Sequence, residues 1–447
     1  MGTIFGTDGI RGVANVELTP ELALALGRAV VTVLHEQGEM RPGVLVGRDP
    51  RWSGEPLEAA LVAGITSAGG DAVTVGVIPT PGVAFLTATS DVCAGIVISA
   101  SHNPVEDNGL KVFGPDGFKL SDDEEDRLEQ LIVVPNGPRP TGAAMGRIVH
   151  DGTAASRYVE HLAAAAEHDF AGMKVVVDAA NGAASHIAPL VYRRLGADVV
   201  ALHCAPNGAN INQGVGSTYP QVVAAAVSAA GAAIGLSHDG DADRLIAAAP
   251  DGSIIDGDVT LAILARARRD AGTLKDDTIV TTVMTNLGFK RAMTELGIGV
   301  VETKVGDRYV LEAMRERDLV LGGEQSGHLI QLDEATTGDG ILTAVKLLSV
   351  VRSSGASLTD LATVMTRLPQ VLVNVRVQRK DDLERAAPVW AAVEREEGAL
   401  GDDGRVLVRT SGTEPLVRVM VEAPTDAVAD AAAQRIAAAV AEALGAA

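Results

Sequence analysis

The chain has 447 residues, of which 47% are hydrophobic, 3% aromatic and 21% charged, with 49 glycines. This length allows three or four domains of ordinary size and excludes a small peptide-like module. The formal net charge of -21 argues against a nucleic-acid or membrane-surface binder, because both partners are polyanions, and it means that an anionic substrate would need a locally basic pocket.

The chain begins with MGTIFGTDGIRG, which contains no apolar stretch of the kind that targets a protein for export. The longest weakly polar run, 222–236, is too short to span a membrane. Arg11 lies among the glycines of GTDGIRG and is a candidate cation. Cys93 and Cys204 are far apart and lack metal-type spacing. We therefore expect a soluble cytoplasmic protein with reduced thiols.

Three copies of one alternating strand and helix unit follow along the chain. Each copy has a first strand rich in β-branched residues, a second strand after a helical stretch, and a third strand that runs into a polar loop. The nine strands are predicted at 44–49, 71–76, 94–101, 174–182, 197–203, 232–239, 278–286, 298–304 and 319–326. The alternation predicts mostly parallel sheets whose third-strand loops converge on one cleft.

After about residue 366 the pattern changes to a strand PQVLVNVRV, a charged helix, the strands GRVLVRT and PLVRVMVEA, and an alanine-rich helix from Asp426 to Leu444. This order predicts a smaller α+β domain. The whole chain is therefore predicted to be α/β, with three similar domains of mixed, mostly parallel sheets and a C-terminal α+β domain around a central cleft. The predicted domains are 1–152, 153–252, 253–366 and 367–447.

The first third-strand loop, SASHNP, offers a serine pair followed by His102. A serine hydroxyl is a weak nucleophile unaided, but it can carry a phosphoryl group if a metal ion helps to neutralise the charge, because phosphoryl transfer depends on positioning and electrostatics. A turn or helix cap explains the same residues. His102 can orient the loop by hydrogen bonding.

The second loop, HDGDADR, places Asp239, Asp241 and Asp243 at alternate positions. Three carboxylates favour a hard cation, and Mg²⁺ fits better than Ca²⁺ because Arg244 and Pro250 replace the glycine and glutamate of a calcium-binding loop. A solvated acidic turn is the alternative, although packed carboxylates repel one another. Arg244 supplies a guanidinium group suited to a phosphate oxygen.

The third loop, GGEQSGH, carries Glu324, Ser326 and His328, and a carboxylate beside a hydroxyl suits a sugar. A turn with a helix cap explains it equally well. Lys111, in DNGLKV, is a candidate for holding charge, or for moving a proton if its pKa were depressed, and the alternative is an exposed strand lysine.

The loop RTSGTEP, between two strands of the last predicted domain, combines a cation, hydroxyls and a glycine. Such a loop can hold a phosphate, because backbone amides can approach the anion closely beside the guanidinium group. An ordinary polar hairpin is the alternative. The candidate residues are Arg409, Ser411, Gly412 and Thr413, together with Arg418 on the following strand.

In this order, the motifs GTDGIRG, SASHNP, DGDADR, GGEQSGH and RTSGTEP resemble those of the α-D-phosphohexomutase superfamily over essentially the whole chain. GEQSGH, the GTDGIRG start and VGDRYV at 305–310 look like the branch that acts on glucosamine phosphates. Relatives that act on mannose and glucose phosphates typically carry Met in place of Gln325.

The resemblance implies an isomerase in which phosphoserine 101 converts glucosamine 6-phosphate to glucosamine 1-phosphate through a 1,6-bisphosphate, which also serves as activator. The product would supply UDP-N-acetylglucosamine and cell-wall synthesis. One Mg²⁺ would be bound by Asp239, Asp241, Asp243 and a phosphoserine oxygen. The resemblance also implies roles for further residues in charge stabilisation, sugar binding and phosphate binding: Arg11, His102, Lys111, Arg244, Glu324, Ser326, His328, Arg409, Ser411, Gly412, Thr413 and Arg418.

Three alternative functions share these loops. A phosphomannomutase or phosphoglucomutase would use the same mechanism on another sugar. A metal-dependent phosphatase would release inorganic phosphate, and a sugar-phosphate sensor would bind without turnover. The expected partner is a small hexosamine phosphate, with neither nucleic acid nor membrane, and the oligomeric state, a homodimer included, stays open.

Overall fold

The computed structural model describes residues 4–6, 8–411 and 414–445. These residues divide into two compact units. The first runs through Val283 and resumes at Ile298–Thr363, and the second comprises Met284–Gly297 and the chain from Val364 onward. Three mixed sheets lie in the first unit and one antiparallel sheet lies in the second. This arrangement confirms the predicted fold class, while the residue boundaries between the four domains remain predictions.

The first sheet has six strands in the order β1-β5-β4-β2-β3-β6. Strands β2, β3, β4 and β6 run parallel, and β5 runs antiparallel to β1 and β4. All five residues of β4 are buried, as expected for an apolar run inside a sheet covered on both faces. The elements are β1 (Ile10–Val13), α1 (Pro20–Glu36), β2 (Gly43–Arg48), α2 (Gly54–Ala68), β3 (Asp71–Val77), α3 (Thr80–Thr89), β4 (Ala94–Ile98), β5 (Asp107–Phe113), α4 (Asp122–Val133) and β6 (Ile148–His150).

The second sheet has five strands in the order β11-β10-β9-β7-β8. β7 pairs in parallel with β8 and β9, and β10 pairs antiparallel with β9 and β11. The elements are α5 (Ala154–Ala164), β7 (Lys174–Asp178), α6 (Ala184–Arg194), β8 (Asp198–Leu202), α7 (Pro220–Ala230), β9 (Ile234–His238), β10 (Leu245–Ala248) and β11 (Ile254–Ile255).

The third sheet has four strands in the order β13-β12-β14-β15, of which only β15 is antiparallel to its neighbour. One helix of this stretch, α9 (Leu287–Glu295), belongs to the second compact unit. The remaining elements are α8 (Gly257–Asp270), β12 (Thr278–Thr282), β13 (Gly299–Thr303), α10 (Asp307–Glu316), β14 (Leu321–Gly323), β15 (Leu329–Gln331), α11 (Gly340–Ser354) and α12 (Leu358–Ala362).

One strand order recurs in all three sheets. The first predicted strand of each repeat, β2, β7 or β12, pairs in parallel with both the second and the third. The third strand, β4, β9 or β14, then pairs with an antiparallel strand, β5, β10 or β15. The loops with SASHNP, HDGDADR and GGEQSGH join these two strands in every case. The repeat thus places three chemically different loops at the same topological position, at the carboxyl ends of parallel strands.

The second unit contains an antiparallel sheet in the order β16-β18-β17. Helix α14 packs on β16, β18 and a second helix, α13, and buried valines and alanines fill the space between them. The elements are β16 (Gln370–Arg376), α13 (Ala387–Leu400), β17 (Arg405–Thr410), β18 (Leu416–Glu422) and α14 (Asp426–Leu444). Short 3₁₀ helices lie at Gly142–Ala144, Lys275–Asp277, Lys380–Arg385 and Gly401–Asp403. None of the helices in the described ranges is both long and apolar enough to cross a membrane.

Candidate active site

Ser101 lies in the turn between β4 and β5, and its side chain points at the aspartate loop. The residue has φ 51°, a left-handed conformation that costs a serine on the order of 1–3 kcal/mol. Its Oγ donates a hydrogen bond to Asp239 Oδ2 at 2.5 Å and lies 3.2 Å from His102 Nδ1. Only 1% of the residue is exposed. Ser101 therefore presents a buried hydroxyl to a carboxylate of another loop instead of capping a helix.

The three aspartates of the second loop form one compact, buried cluster. Each offers a carboxylate oxygen, and these oxygens all lie within 4.8 Å of one another. Thr80 Oγ1 donates to Asp241 Oδ2 at 2.7 Å, and the Arg244 N–H donates to Asp239 Oδ1 at 3.3 Å. The side chains of the cluster are thus buried and held by hydrogen bonds, which excludes the alternative that this loop is a solvated acidic turn.

The donor set of this cluster fits a hard divalent cation. Asp241 Oδ1 and Asp243 Oδ1 are buried and have no hydrogen-bond partner among the residues that the structure describes. The pKa of Asp239 is raised well above its usual range, first because burial penalises the charge and then because Asp243 and Asp241 repel it. A cation among the three carboxylates would offset both effects. These residues can therefore hold a metal ion.

Cationic side chains surround the aspartates. Lys111, on β5, is 2% exposed, and its Nζ lies 3.2 Å from Asp8 Oδ2, 3.5 Å from Asp241 Oδ2 and 3.9 Å from Asp243 Oδ2. Burial opposes the ammonium charge, but Asp8 first, and then Asp241 and Asp243, outweigh it and raise the pKa of Lys111. These contacts support the charge-holding role, and the burial of Lys111 excludes an exposed strand lysine.

Arg11, Arg244 and His102 complete the surroundings of the serine. Arg11 forms an ion pair with Asp8 and lines the cleft. Arg244 Nε lies 3.8 Å from Asp243 Oδ1 and is buried, with no hydrogen bond to any described residue. Burial, and then the charge of Arg244, lower the pKa of His102 to about 4. His102 is therefore neutral at pH 7.

The third loop meets the aspartate cluster through His328. His328 is buried, its Nδ1 lies 3.5 Å from Asp243 Oδ2, and its Nε2 accepts a hydrogen bond from the Gly338 N–H at 3.2 Å. Glu324 Oε1 accepts from the Gly306 N–H at 3.0 Å. Ser326 Oγ is buried and lacks a hydrogen-bond partner in the described part of the chain. A hydroxyl without a partner beside an anchored carboxylate is suited to a polar ligand.

Three further charged residues belong to this site, and the sequence did not single them out. Lys119 Nζ lies 2.6 Å from Asp8 Oδ1 and 2.5 Å from Asp307 Oδ2. Asp8 lies inside GTDGIRG and Asp307 inside VGDRYV, and their position next to glycines was the sequence feature that could have indicated them. Lys119 lies in no such motif. Asp8 and Asp307, with residues of the second and third loops, line a cleft of about 320 Å³. Its lining residues are Asp8, Arg11, Asp122, Asp243, Arg244, Val305, Gly306, Asp307, Arg308, Tyr309, Glu312, Glu324 and His328.

The RTSGTEP loop lies in the second compact unit, and its Arg409 is adjacent to Arg418 of the following strand. Arg409 on β17 is paired directly with Arg418 on β18. Burial, and then Arg418, lower the pKa of Arg409, as expected for neighbouring cations without an anion. Arg418 Nε is buried, with no partner among the described residues. Lys380, which the sequence did not indicate, donates to the Ser411 carbonyl at 3.1 Å.

The resulting loop is suited to an anion. Gly412 and Thr413, also predicted here, lie outside the described residues.

Comparisons with known proteins agree with this geometry. Four family models match the chain in order: phosphoglucomutase/phosphomannomutase alpha/beta/alpha domain I at 2–134, domain II at 156–252, domain III at 256–368 and the C-terminal domain at 372–442. The structure of a phosphoglucomutase/phosphomannomutase family protein from Burkholderia thailandensis superposes with a TM-score of 0.85 at 28% identity, covering 99% of this chain and 98% of that chain. The chain therefore has the fold of the phosphohexomutases and belongs to that class.

Two curated relatives narrow the class further. A phosphoglucosamine mutase from Mycobacterium marinum is 52% identical over 450 residues and 100% of both chains, and one from Frankia alni is 54% identical over 451 residues and 99% of both. The chain belongs to the phosphoglucosamine mutase family within the phosphohexomutases, and it is an isomerase. These relatives support glucosamine phosphate over mannose or glucose phosphate as the substrate.

Proposed function

We propose that the chain interconverts glucosamine 6-phosphate and glucosamine 1-phosphate by moving a phosphoryl group to and from Ser101, with glucosamine 1,6-bisphosphate as the intermediate. One observation carries this proposal. The Ser101 hydroxyl is buried and lies 2.5 Å from Asp239 inside a cluster of three aspartates. A hydroxyl in that position is oriented for phosphoryl chemistry, which depends on positioning and charge stabilisation more than on a strong base.

The proposed reaction has two transfers that balance. In the first, the bond between phosphorus and Ser101 Oγ breaks while phosphorus bonds to the free hydroxyl oxygen at C1 of glucosamine 6-phosphate. The C1 hydroxyl loses its proton and Ser101 Oγ gains one, so that the serine becomes a free hydroxyl. The bisphosphate then turns round. In the second, the bond between phosphorus and O6 breaks and phosphorus bonds again to Ser101 Oγ, while Ser101 Oγ loses its proton and O6 gains one. The enzyme is returned to its phosphorylated form, so no phosphate is released, unlike in a phosphatase.

The charged residues around Ser101 have distinct roles in this scheme. Asp239, Asp241, Asp243 and an oxygen on Ser101 would hold Mg²⁺, which supplies neutralisation of phosphoryl charge. Lys111, Arg244 and Arg11 add fixed positive charge beside the reacting oxygens, where developing charge needs it. His102, 3.2 Å from Ser101 Oγ, orients the serine side chain. Because Lys111 is almost fully buried, its charge is only weakly screened by solvent.

The remaining candidate residues bind the substrate. Glu324, Ser326 and His328 are proposed to bind the sugar hydroxyls. The basic loop of the second unit, with Arg409, Ser411 and Arg418, is proposed to bind a substrate phosphate, and Gly412 and Thr413 are assigned there by motif alone. A sugar 1,6-bisphosphate would phosphorylate Ser101 initially. We place the protein in the cytoplasm, which agrees with its free thiols at Cys93 and Cys204.

Replacement of the serine tests this proposal. Ser101→Ala is expected to abolish isomerisation of glucosamine 6-phosphate without lowering the melting temperature, and peptide mapping of the unaltered protein should find phosphate on Ser101. Ser349→Ala is the matched control, since Ser349 is also buried but donates its hydrogen bond within α11. Near-normal turnover by Ser101→Ala would show that the phosphoserine mechanism is wrong. Turnover of glucose and mannose 6-phosphates measures the sugar preference.

A further inference from the structure

Asp49 and Arg51, in the loop after β2, form an ion pair that is completely buried. Asp49 Oδ2 accepts from Arg51 Nε at 2.9 Å, and Asp49 Oδ1 accepts from the Arg51 backbone N–H at 3.0 Å. A buried ion pair adds little net stability compared with apolar residues of similar volume, because removing both charges from water is costly. The pair therefore calls for an explanation beyond stability.

The guanidinium group of Arg51 is wrapped by the backbone of the serine loop. Its Nη2 donates to the carbonyl oxygens of Ser101 at 3.2 Å and Asn103 at 2.9 Å. Its Nη1 donates to the carbonyl of Asp107 at 3.0 Å and also to that of Pro104. With Nε on Asp49, all five N–H groups of the guanidinium have acceptors. Four of those acceptors belong to the segment that begins at Ser101.

A second connection reaches Ser101 from its amide side. The Ser99 hydroxyl donates to Asp49 Oδ2 at 2.6 Å and accepts from the Ser101 N–H at 3.0 Å. The N–H and the carbonyl of Ser101 are thus both tied to the same buried pair, directly or through one hydroxyl. This is the residue whose φ of 51° is unfavourable for a serine. These hydrogen bonds to the N–H and the carbonyl of Ser101 hold its backbone in the left-handed conformation.

We propose that Arg51, held by Asp49, is the positioning residue that turns the Ser101 hydroxyl toward the aspartate cluster. Arg51 does not touch the Ser101 side chain, and it acts through the backbone on either side of it. The inference rests on the proposed role of Ser101 as phosphoryl carrier. Lysine cannot replace Arg51, because an ammonium group offers three donors in place of five and lacks the planar fork.

A kinetic comparison of Arg51→Lys with the unaltered enzyme tests this assignment. A displacement of about 1 Å at a reacting atom costs about 10²-fold in rate, so kcat is expected to fall by about that factor. KM for glucosamine 6-phosphate should stay within about threefold, because the proposed sugar and phosphate residues are not altered. Arg268→Lys is the matched control, since Arg268 is largely buried and binds Asp333 and Gln331 away from the serine loop.

Ser99→Ala provides a second, milder variant that decides the matter if Arg51→Lys does not fold. It removes only the hydroxyl between Asp49 and the Ser101 N–H, and kcat is expected to fall by about tenfold. Ser349→Ala is the control, and its kcat is expected to equal that of the unaltered enzyme. A kcat within twofold of normal in the folded variants, or a rise in KM alone, would overturn the assignment. Ser101→Ala is assayed in parallel. If it is inactive while Arg51→Lys and Ser99→Ala are normal, the positioning role fails and the phosphoserine stands, whereas an active Ser101→Ala refutes both.

Discussion

Gly240→Ala is expected to slow the reaction strongly, because Gly240 is where the aspartate loop meets the serine loop. A Cβ built at Gly240 would lie 2.4 Å from the Ser101 carbonyl oxygen, 2.8 Å from Asn212 Nδ2 and 2.9 Å from Ile211 Cδ1. Ordinary van der Waals contact begins near 3.4 Å, so one side has to move by about 1 Å. The movement would separate Ser101 from the three aspartates.

Neither side can yield easily. The Ser101 carbonyl accepts hydrogen bonds from Asn212 Nδ2 at 2.8 Å and from Arg51 at 3.2 Å, and the Gly240 carbonyl accepts from the Ala183 N–H at 2.8 Å. A shift of about 1 Å between reacting groups corresponds to about 10²-fold in kcat, or about 2.7 kcal/mol of activation free energy. Overpacking of this kind also lowers the free energy of unfolding by about 1–3 kcal/mol.

The assay is steady-state turnover of glucosamine 6-phosphate, with the melting temperature measured on the same samples. Gly152→Ala is the matched control, because a Cβ there would have no described atom within 4 Å. We expect Gly152→Ala to behave as the unaltered enzyme. The reasoning would be refuted if Gly240→Ala kept kcat within threefold, because the close approach of the two loops would then have no bearing on the chemistry.

Two further predictions concern carboxylates. Asp241→Asn removes one charge from the cluster and should weaken Mg²⁺ binding in calorimetric titration by more than about tenfold, since loss of a residue that only supports a metal ligand already costs that much. Asp123→Asn, at an exposed position, is the control and should bind Mg²⁺ as the unaltered protein does. Equal Mg²⁺ affinity in the two variants would contradict the assigned metal site. Burial raises the pKa of Asp339 to about 6, from an ordinary value of 3.8. The folded state therefore holds this proton more tightly than the unfolded state, so the stabilising contribution is present below about pH 4 and is lost as pH rises through 6, amounting to about 3 kcal/mol by pH 7. Asp339→Asn, which can still cap α11, should abolish this loss of stability at high pH. The melting temperatures of the variant and the unaltered protein are compared at pH 4 and pH 8, and an equal change in both proteins would contradict the prediction.

The strands and the motif loops could be predicted because they depend on local pattern. Runs of β-branched residues indicate buried strands wherever they lie, and an aspartate or serine at a strand end indicates a ligand-facing loop. The parallel pairing of the repeats was confirmed for this reason. The unusual conformation of Ser101 and the raised pKa of Lys111 could not be predicted, because both arise from partners distant in sequence.

The residues that sequence reasoning missed share this property. Lys119 is bound by carboxylates 111 and 188 positions away, and Arg51 binds carbonyls 50 to 56 positions away. Neither residue stands in a sequence pattern that indicates such partners. Every residue has a backbone carbonyl group, so the sequence does not show which carbonyl accepts a hydrogen bond from Arg51. The assignment of α9 to the second compact unit could not be predicted for the same reason. In the sequence this helix stands between β12 and β13 of the third sheet, and only its tertiary contacts place it in the second unit.

The shared strand order of the three sheets has a consequence for how this enzyme can change. Phosphoryl carriage, cation binding and sugar contact are assigned to separate loops that emerge from equivalent positions in separate sheets. A substitution in the loop after β14 can therefore alter which sugar is accepted while the backbone around Ser101 and the aspartates keeps its own supports. Such a layout lets substrate preference change without rebuilding the backbone that supports the transfer chemistry, because the same strand order carries three loops with separate assigned roles.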